Sequence, residues 1–159
     1  MISVIGAGHV GNYLAYLLAR DGSNVRVFEE HEKIGMPIQC TGITTGNLLD
    51  VVKLDEGYVV NKVKRISVTA PNKKSLEFNF RRENIIVDRY RFDKHFADLA
   101  KSEGVNYLLK HKFTNSKEKT LFFSNGEKYE TDFLVGADGP YSRVAKSNGM
   151  YGEREFIYG

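Results

Sequence analysis

The sequence predicts an α/β fold in which helices pack on a parallel sheet. Three observations predict it: a short apolar run, Ile2–Ile5, leads into the glycine pattern Gly6–Gly11; a leucine-rich helical pattern follows; and a second apolar run, Val25–Phe28, ends at an acidic residue. Strand, glycine turn, helix and strand in this order form the first βαβ unit of a Rossmann-like domain that binds FAD or NAD(P).

Each glycine of the pattern meets a separate demand of a bound dinucleotide. Gly6 permits a tight turn out of the strand, Gly8 lets the backbone approach a pyrophosphate, and Gly11 allows the helix to pack closely on the strand. The first turn of the helix, which includes Val10, then holds the phosphates at its N-terminus.

The acidic residue after the second strand is the candidate for ribose recognition. Glu29 stands where a carboxylate binds the hydroxyls of an adenosine ribose. Its neighbour Glu30 competes for the same role, and the position favours Glu29.

Beyond residue 30 an ordered loop reaches to residue 42, and strands then dominate. The remaining predicted elements are a short helix over 43–52; strands at 63–69, 76–80 and 85–87, with a turn at Pro71–Asn72; a helix over 91–102; a strand near 105–109; an antiparallel meander over 112–131 with turns at Thr114–Asn115 and Asn125–Gly126; and a buried strand from 133 that ends in a glycine turn. No repeat, linker or clear boundary interrupts this pattern, so we expect one domain over residues 1–159.

Composition excludes several functional classes. The chain has 159 residues, 42% of them hydrophobic, and a net charge of +3 that is spread along the sequence, which does not favour nucleic acid as a partner. Cys40 is the only cysteine, so an internal disulfide and a thiolate metal cluster are excluded, and the histidines show no metal-ligand spacing. No apolar run approaches the roughly 20 residues of a membrane helix. We expect a cytoplasmic protein without a metal, and contact with a membrane surface stays open.

Four segments together resemble the FAD-dependent geranylgeranyl reductases, and within that family most closely the archaeal digeranylgeranylglycerophospholipid reductases. The segments are Gly6–Gly11 with Glu29, the loop Ile34–Gly42, the stretch Val87–Ala97, and Val135–Val144. The first and last are shared with flavin-dependent aromatic hydroxylases and halogenases, so they specify FAD, whereas the cysteine loop points to the reductases.

The resemblance implies a role for each matching position. Gly11 and Glu29 would hold the ADP part of FAD, and Phe113 would offer a backbone contact to the adenine. The remaining matches comprise Cys40, Thr41 and Gly42 beside the flavin, Arg89 reaching the cofactor from a helix start, and Asp138 with Gly139 closing over the pyrophosphate. The family usually has an arginine before this cysteine and a glycine after it, where this chain has Gln39 and Thr41.

Three of these residues have structural alternatives. Cys40 could be a small buried hydrophobic residue, Arg89 a solvated charge at a helix start, and Asp138 a turn-stabilising carboxylate. Cys40 is a possible flavin-side catalytic residue, and no other catalytic residue is assigned.

The resemblance also implies the activity of the intact protein. That activity is reduction of the double bonds of geranylgeranyl chains in membrane lipid precursors, with electrons from an external donor, ferredoxin or NAD(P)H. Because the relatives continue into a substrate-binding sheet and a further flavin-binding segment, we expect this chain to be the N-terminal FAD-binding part, either truncated or one half of a split protein. The alternatives are an FAD-dependent monooxygenase of the hydroxylase or halogenase type, and a non-catalytic nucleotide-binding module.

Overall fold

The computed structural model describes residues 1–155. Its elements, in chain order, are β1 (Ile2–Ile5), α1 (His9–Arg20), β2 (Val25–Phe28), β3 (Ile43–Thr44), a 3₁₀ helix (Gly46–Asp50), β4 (Val59–Thr69), β5 (Ser75–Val87), α2 (Arg89–Ser102), β6 (Asn106–Leu108), β7 (Phe113–Lys117), β8 (Thr120–Phe123), β9 (Lys128–Glu130), β10 (Phe133–Gly136) and α3 (Arg143–Ser147). They divide into two compact units, one built from Met1–Met36 with the chain from Asp93 onward, the other from Pro37–Phe92.

The first unit is organised around a four-stranded sheet in the order β10-β1-β2-β6, with every neighbouring pair parallel. In order of appearance these strands lie 4-1-2-3, which is the half-sheet arrangement of a doubly wound dinucleotide-binding fold. The predicted α/β class with a parallel sheet is therefore confirmed.

The two faces of this sheet carry separate hydrophobic clusters. Val4 and Val27 belong to the cluster that includes Ala15 of α1 and alanines of α2. Ile5 and Phe28 belong to the other cluster, with phenylalanines of β7 and β8. Because successive strand residues point to opposite faces, this alternation lets helices cover one face and the antiparallel meander β7-β8-β9 cover the other.

The second unit is a three-stranded antiparallel sheet in the order β3-β5-β4. Strands β4 and β5 form a long hairpin whose turn contains Pro71 and Asn72, as predicted, and whose Lys73 takes a left-handed backbone with φ 64°. The expected separate strand at 85–87 is wrong, since β5 runs without a break to Val87. The short β3 pairs with its last residues.

Three further expectations are corrected. The helix expected over 43–52 is reduced to one 3₁₀ stretch, because residues 43 and 44 pair with β5 instead. The turn expected at Thr114–Asn115 is wrong, since both residues lie within β7 and the chain turns at Glu118, which has φ 54°. The strand β10 is not buried, because it forms a sheet edge and Phe133 is exposed.

Candidate dinucleotide site

The turn between β1 and α1 closes only because its first and last glycines lack side chains. Gly6 has a φ of +103°, and its amide donates to the carbonyl oxygen of Phe28 at 2.8 Å. A methyl group at Gly6 would overlap the carbonyl oxygen of Ala137, and one at Gly11 would overlap the carbonyl oxygen of Gly6. These two glycines therefore set the packing of the turn itself.

Gly8, between them, faces open space. A Cβ at this position would meet nothing within 4 Å, and the backbone angles, φ −74° and ψ 174°, are open to any residue. No packing demand explains a glycine here. The absence of a side chain instead leaves room for a group that approaches the backbone closely.

The N-terminus of α1, which begins directly after Gly8, suits an anion. Gly8 is its N-cap and supplies no side-chain hydrogen bond, and the first turn holds no acidic residue. The first amides of a helix carry partial positive charge and need an acceptor. With Val10 exposed at the surface of this turn, the arrangement fits the phosphates of a dinucleotide.

Glu29 is fixed beside the same turn. Its Oε2 accepts a hydrogen bond from the Ala7 amide at 2.8 Å, and its Oε1 accepts one from the His31 amide at 3.0 Å and lies 2.6 Å from His31 Nδ1. The side chain is only 12% exposed. Since a carboxylate has about four lone-pair positions, these contacts orient Glu29 and leave acceptor capacity for ribose hydroxyls.

Glu30 has different surroundings. It is exposed, and its Oε2 accepts from Lys112 Nζ at 2.6 Å. This hydrogen bond from Lys112 holds the pKa of Glu30 below its usual value. Of the two candidate acids, the structure therefore brings Glu29 to the glycine turn and places Glu30 in a surface ion pair.

A buried asparagine that the sequence reasoning missed supports this turn. Asn12 is fully buried, and its Nδ2 donates to the carbonyl oxygens of Ala7 at 2.8 Å and Asp93 at 2.9 Å, while Tyr107 donates its hydroxyl to Asn12 Oδ1 at 2.9 Å. Burial raises the pKa of Tyr107, which keeps the donor protonated. The sequence signal for this residue is a polar side chain within the apolar face of α1, which indicates a buried hydrogen-bonding role.

The segment after β10 also lies against the glycine turn. The Ala137 amide donates to the carbonyl oxygen of Ile5 at 2.8 Å, and the backbone of Asp138 lies next to Gly6. The carboxylate of Asp138 accepts from Ser142 Oγ at 2.6 Å and from the backbone amides of residues 143 and 144 at 2.7 and 3.1 Å. This side chain therefore stabilises the start of α3, as its structural alternative proposed.

Phe113 is placed by its side chain in the core. It is buried in the cluster formed with Phe28 and Phe123, at the start of β7. Any contact of Phe113 with a ligand must come from its backbone, as the resemblance implies.

The remaining predicted site residues come together within the second unit. Gly42 has a φ of +79° and packs so closely on Val87 that a methyl group would overlap its carbonyl oxygen, while the side chain of Arg89 lies against the same glycine. Cys40 and Thr41 are exposed beside it. The alternative of Cys40 as a buried core residue is wrong, and Arg89 is half-buried rather than a fully solvated charge.

The predicted residues thus form two groups, each local to one unit. The first unit holds Gly6, Gly8, Val10, Gly11, Glu29, Glu30, Phe113, Asp138 and Gly139, and the second holds Cys40, Thr41, Gly42 and Arg89. Within residues 1–155, no three His, Cys, Asp or Glu side chains are grouped to bind a metal ion. In the same range, every helix is too short or too polar to span a membrane.

Residues 4–70 match the NAD(P)-binding Rossmann-like domain family. Over 160 residues the chain is 28% identical to digeranylgeranylglycerophospholipid reductase 1 of Methanococcoides burtonii, an alignment that covers 92% of this chain and 39% of the reductase. This chain is similar in sequence to that reductase. It spans about two fifths of the length of this curated relative. The predicted resemblance to the reductases is confirmed.

Two further proteins are similar to this chain, one in sequence and one in fold. An uncharacterized protein in the nifH2 5' region of Methanosarcina barkeri is 29% identical over 94% of this chain, and 87% of that protein is covered. A probable FAD-dependent monooxygenase, pqsL of Pseudomonas aeruginosa, has the same fold over 99% of this chain and 47% of its own, with a TM-score of 0.78 and 19% identity. This chain therefore shares its fold with a probable FAD-dependent monooxygenase.

Proposed function

We propose that this chain is the FAD-binding part of an oxidoreductase of the geranylgeranyl reductase type. One observation carries the proposal: the glycine with open space, Gly8, stands at an uncapped helix N-terminus, and the oriented carboxylate of Glu29 lies beside it. A pyrophosphate and an adenosine ribose are the chemical groups that such a pair recognises.

Each part of the chain then has a binding role. The amides of the first turn of α1 hold the pyrophosphate, and Glu29 accepts hydrogen bonds from the ribose. The loop Cys40–Gly42 and Arg89 supply polar contacts to the flavin end of the cofactor. Bound FAD supplies hydride chemistry of its own, so the side chains orient the cofactor and limit its access to water rather than act as acid or base.

The proposed substrate class follows from the relatives. The name of the Methanococcoides burtonii reductase describes action on digeranylgeranylglycerophospholipids. We infer that the whole protein reduces isoprenoid double bonds of such lipids, takes electrons from ferredoxin or NAD(P)H, and contacts the membrane surface where its substrate resides. A binding site for a long prenyl chain requires an extended apolar cavity. We assign this cavity to the part of the Methanococcoides burtonii reductase that lies outside the alignment.

A monooxygenase is the second candidate, because pqsL has the same fold. Both candidates require FAD. They differ in the fate of the reduced cofactor, since a monooxygenase consumes oxygen with an aromatic substrate whereas a reductase transfers hydride to a prenyl lipid.

The decisive experiment identifies small molecules that co-purify with the protein. Denaturation followed by mass spectrometry should release FAD, and titration of the apoprotein should show tighter binding of FAD than of NAD⁺ or NADP⁺. Release of a nicotinamide dinucleotide with no FAD affinity would contradict the flavoprotein proposal. A bound prenyl lipid would favour the reductase over the monooxygenase.

A further inference from the structure

The hairpin of β4 and β5 concentrates the positive charge of the chain. Residues 59–87 contain seven basic side chains and two acidic ones, a net charge of +5, whereas the whole chain carries +3. All other residues together are therefore slightly acidic. The basic character of this protein is a property of one hairpin.

Most of these cations have no ionic partner. Lys62 approaches Glu56 at 3.9 Å and Arg82 pairs with Asp50 at 2.6 Å. In the described part of the chain, the other five form no ion pair; they are Lys64, Arg65, Lys73, Lys74 and Arg81. Unpaired cations grouped on one ribbon attract an anionic surface.

The distal half of the hairpin also has an exposed apolar face. Ile66 pairs with Phe78 and Val68 pairs with Leu76 across the two strands, so that all four side chains share one face. They are 39%, 47%, 57% and 67% exposed, respectively. The opposite face is polar, with Thr69 and Ser75 in hydrogen-bond contact at 2.7 Å.

We propose that this hairpin docks the protein on the surface of an anionic phospholipid bilayer. The apolar face would enter the boundary between headgroups and acyl chains, and the unpaired cations would contact the phosphates, as in other basic amphipathic elements. Lys73 and Lys74 occupy the turn next to the apolar pairs, which places cations at the depth of the headgroups. The inference rests on the proposed function for its purpose, since a phospholipid substrate lies in such a surface.

Charge favours a lipid surface over a protein partner. Lysine is depleted in protein interfaces, yet four lysines lie on this hairpin. The four exposed apolar residues also form a small face compared with the roughly 800 Å² that each partner buries in a stable protein complex.

The test measures flotation of the purified chain with vesicles. We expect binding to an equal mixture of phosphatidylcholine and phosphatidylglycerol, little binding to phosphatidylcholine alone, and loss of binding when the salt is raised to about 1 M, where the Debye length falls to about 3 Å. The double variant K73Q/K74Q should lower the partition coefficient roughly thirtyfold, since each lysine contributes about 1 kcal/mol near an anionic surface. V68S/L76S should lower it by roughly tenfold or more through lost apolar burial.

A matched control removes two exposed lysines elsewhere. K53Q/K117Q makes the same charge change away from the hairpin and should bind vesicles almost as the parent chain does. An equal loss in this control, or no binding of the parent to anionic vesicles, would overturn the proposal. So would a dimer in analytical ultracentrifugation that V68S/L76S dissociates, because the face would then be a protein interface.

FAD titration of the same variants separates this inference from the proposed function. All four proteins should fold, as judged by circular dichroism, and should bind FAD alike. Vesicle binding without FAD binding would remove the flavoprotein proposal and keep the docking surface, and the reverse result would do the opposite.

Discussion

At the scale of single residues, Glu29 is held beside the glycine turn by two backbone amides and by the ring of His31. The amides of Ala7 and His31 hold the two carboxylate oxygens, one of them from within the glycine turn. Position in the sequence favours Glu29 over Glu30 for the ribose, and Glu29 is the acid that contacts the glycine turn. Glu30 is engaged by Lys112 on the surface.

We predict that Glu29→Ala weakens FAD binding by about one to two orders of magnitude. A charge-assisted hydrogen bond contributes roughly 1.5–3 kcal/mol, which corresponds to this change in the dissociation constant. Isothermal titration of the purified variant measures it. Glu30→Ala is the matched control and should bind FAD nearly as the parent does, because it loses only an exposed ion pair. Equal affinities for the parent and Glu29→Ala would remove Glu29 from the site.

Cys40 can be tested through its thiol. The side chain is exposed and follows no core pattern, so an alkylating reagent should reach it readily in the folded protein. We predict that saturating FAD slows this alkylation, because the resemblance places the Cys40–Gly42 loop beside the flavin. The rate is measured by mass spectrometry of the intact chain with and without FAD. The same rate in both samples would assign the loop a position away from the cofactor.

At the scale of elements, the three glycines of the β1-α1 turn differ in their surroundings. A methyl group would collide with backbone at Gly6 and Gly11 but would meet nothing within 4 Å at Gly8. The sequence pattern predicts the tight turn at Gly6 and the close packing at Gly11, because each follows from a local backbone demand. The phosphate contact at Gly8 stays a prediction. The pattern did not predict Asn12, whose partners Asp93 and Tyr107 lie far along the chain.

We predict opposite effects for two glycine-to-alanine substitutions in this turn. Gly8→Ala should leave the free energy of unfolding unchanged within about 0.5 kcal/mol, since its backbone angles suit alanine, but should weaken FAD binding at least tenfold by blocking the phosphate. Gly11→Ala should destabilise the fold by about 1–3 kcal/mol or more through overpacking. Urea unfolding and FAD titration give the two quantities. A Gly8→Ala protein with parental FAD affinity would contradict a phosphate site at this turn.

The same scale shows where sequence patterns fail. The turn at Glu118 uses a left-handed residue without glycine, asparagine or proline, so nothing in the local sequence marked it. Thr114 and Asn115 are residue types typical of a turn, but a register shift after Phe113 accommodates them within β7. The sequence predicts two strands in place of β5, because polar residues 81–84 interrupt its apolar pattern. A long exposed hairpin does not need a continuous apolar pattern.

At the scale of the whole molecule, the parallel sheet was predictable because each strand and helix carried its own signal. The division into two compact units was not, since residues 37–92 differ from the rest in contacts rather than in any linker composition. The candidate site residues are also distributed between these two units. The residues that we propose to bind phosphate and ribose are local to the first unit, which has a core of its own.

The last prediction concerns what this chain can do alone: it should bind FAD but should not reduce prenyl lipids. The proposed phosphate and ribose contacts come from Gly6–Gly11 and Glu29, which are all present in this chain. The alignment covers only 39% of the Methanococcoides burtonii reductase. We assign the walls that orient a prenyl chain against the flavin and exclude water to the part of that reductase outside the alignment. The measurement compares both proteins for FAD affinity and for reduction of a geranylgeranyl lipid by dithionite-reduced flavin. The reductase serves as the positive control.

Two outcomes would contradict this prediction. Prenyl reduction by the short chain at the rate of the reductase would show that the present residues contain the complete site. FAD binding by the reductase alone would show that even the dinucleotide end of the site depends on the additional length.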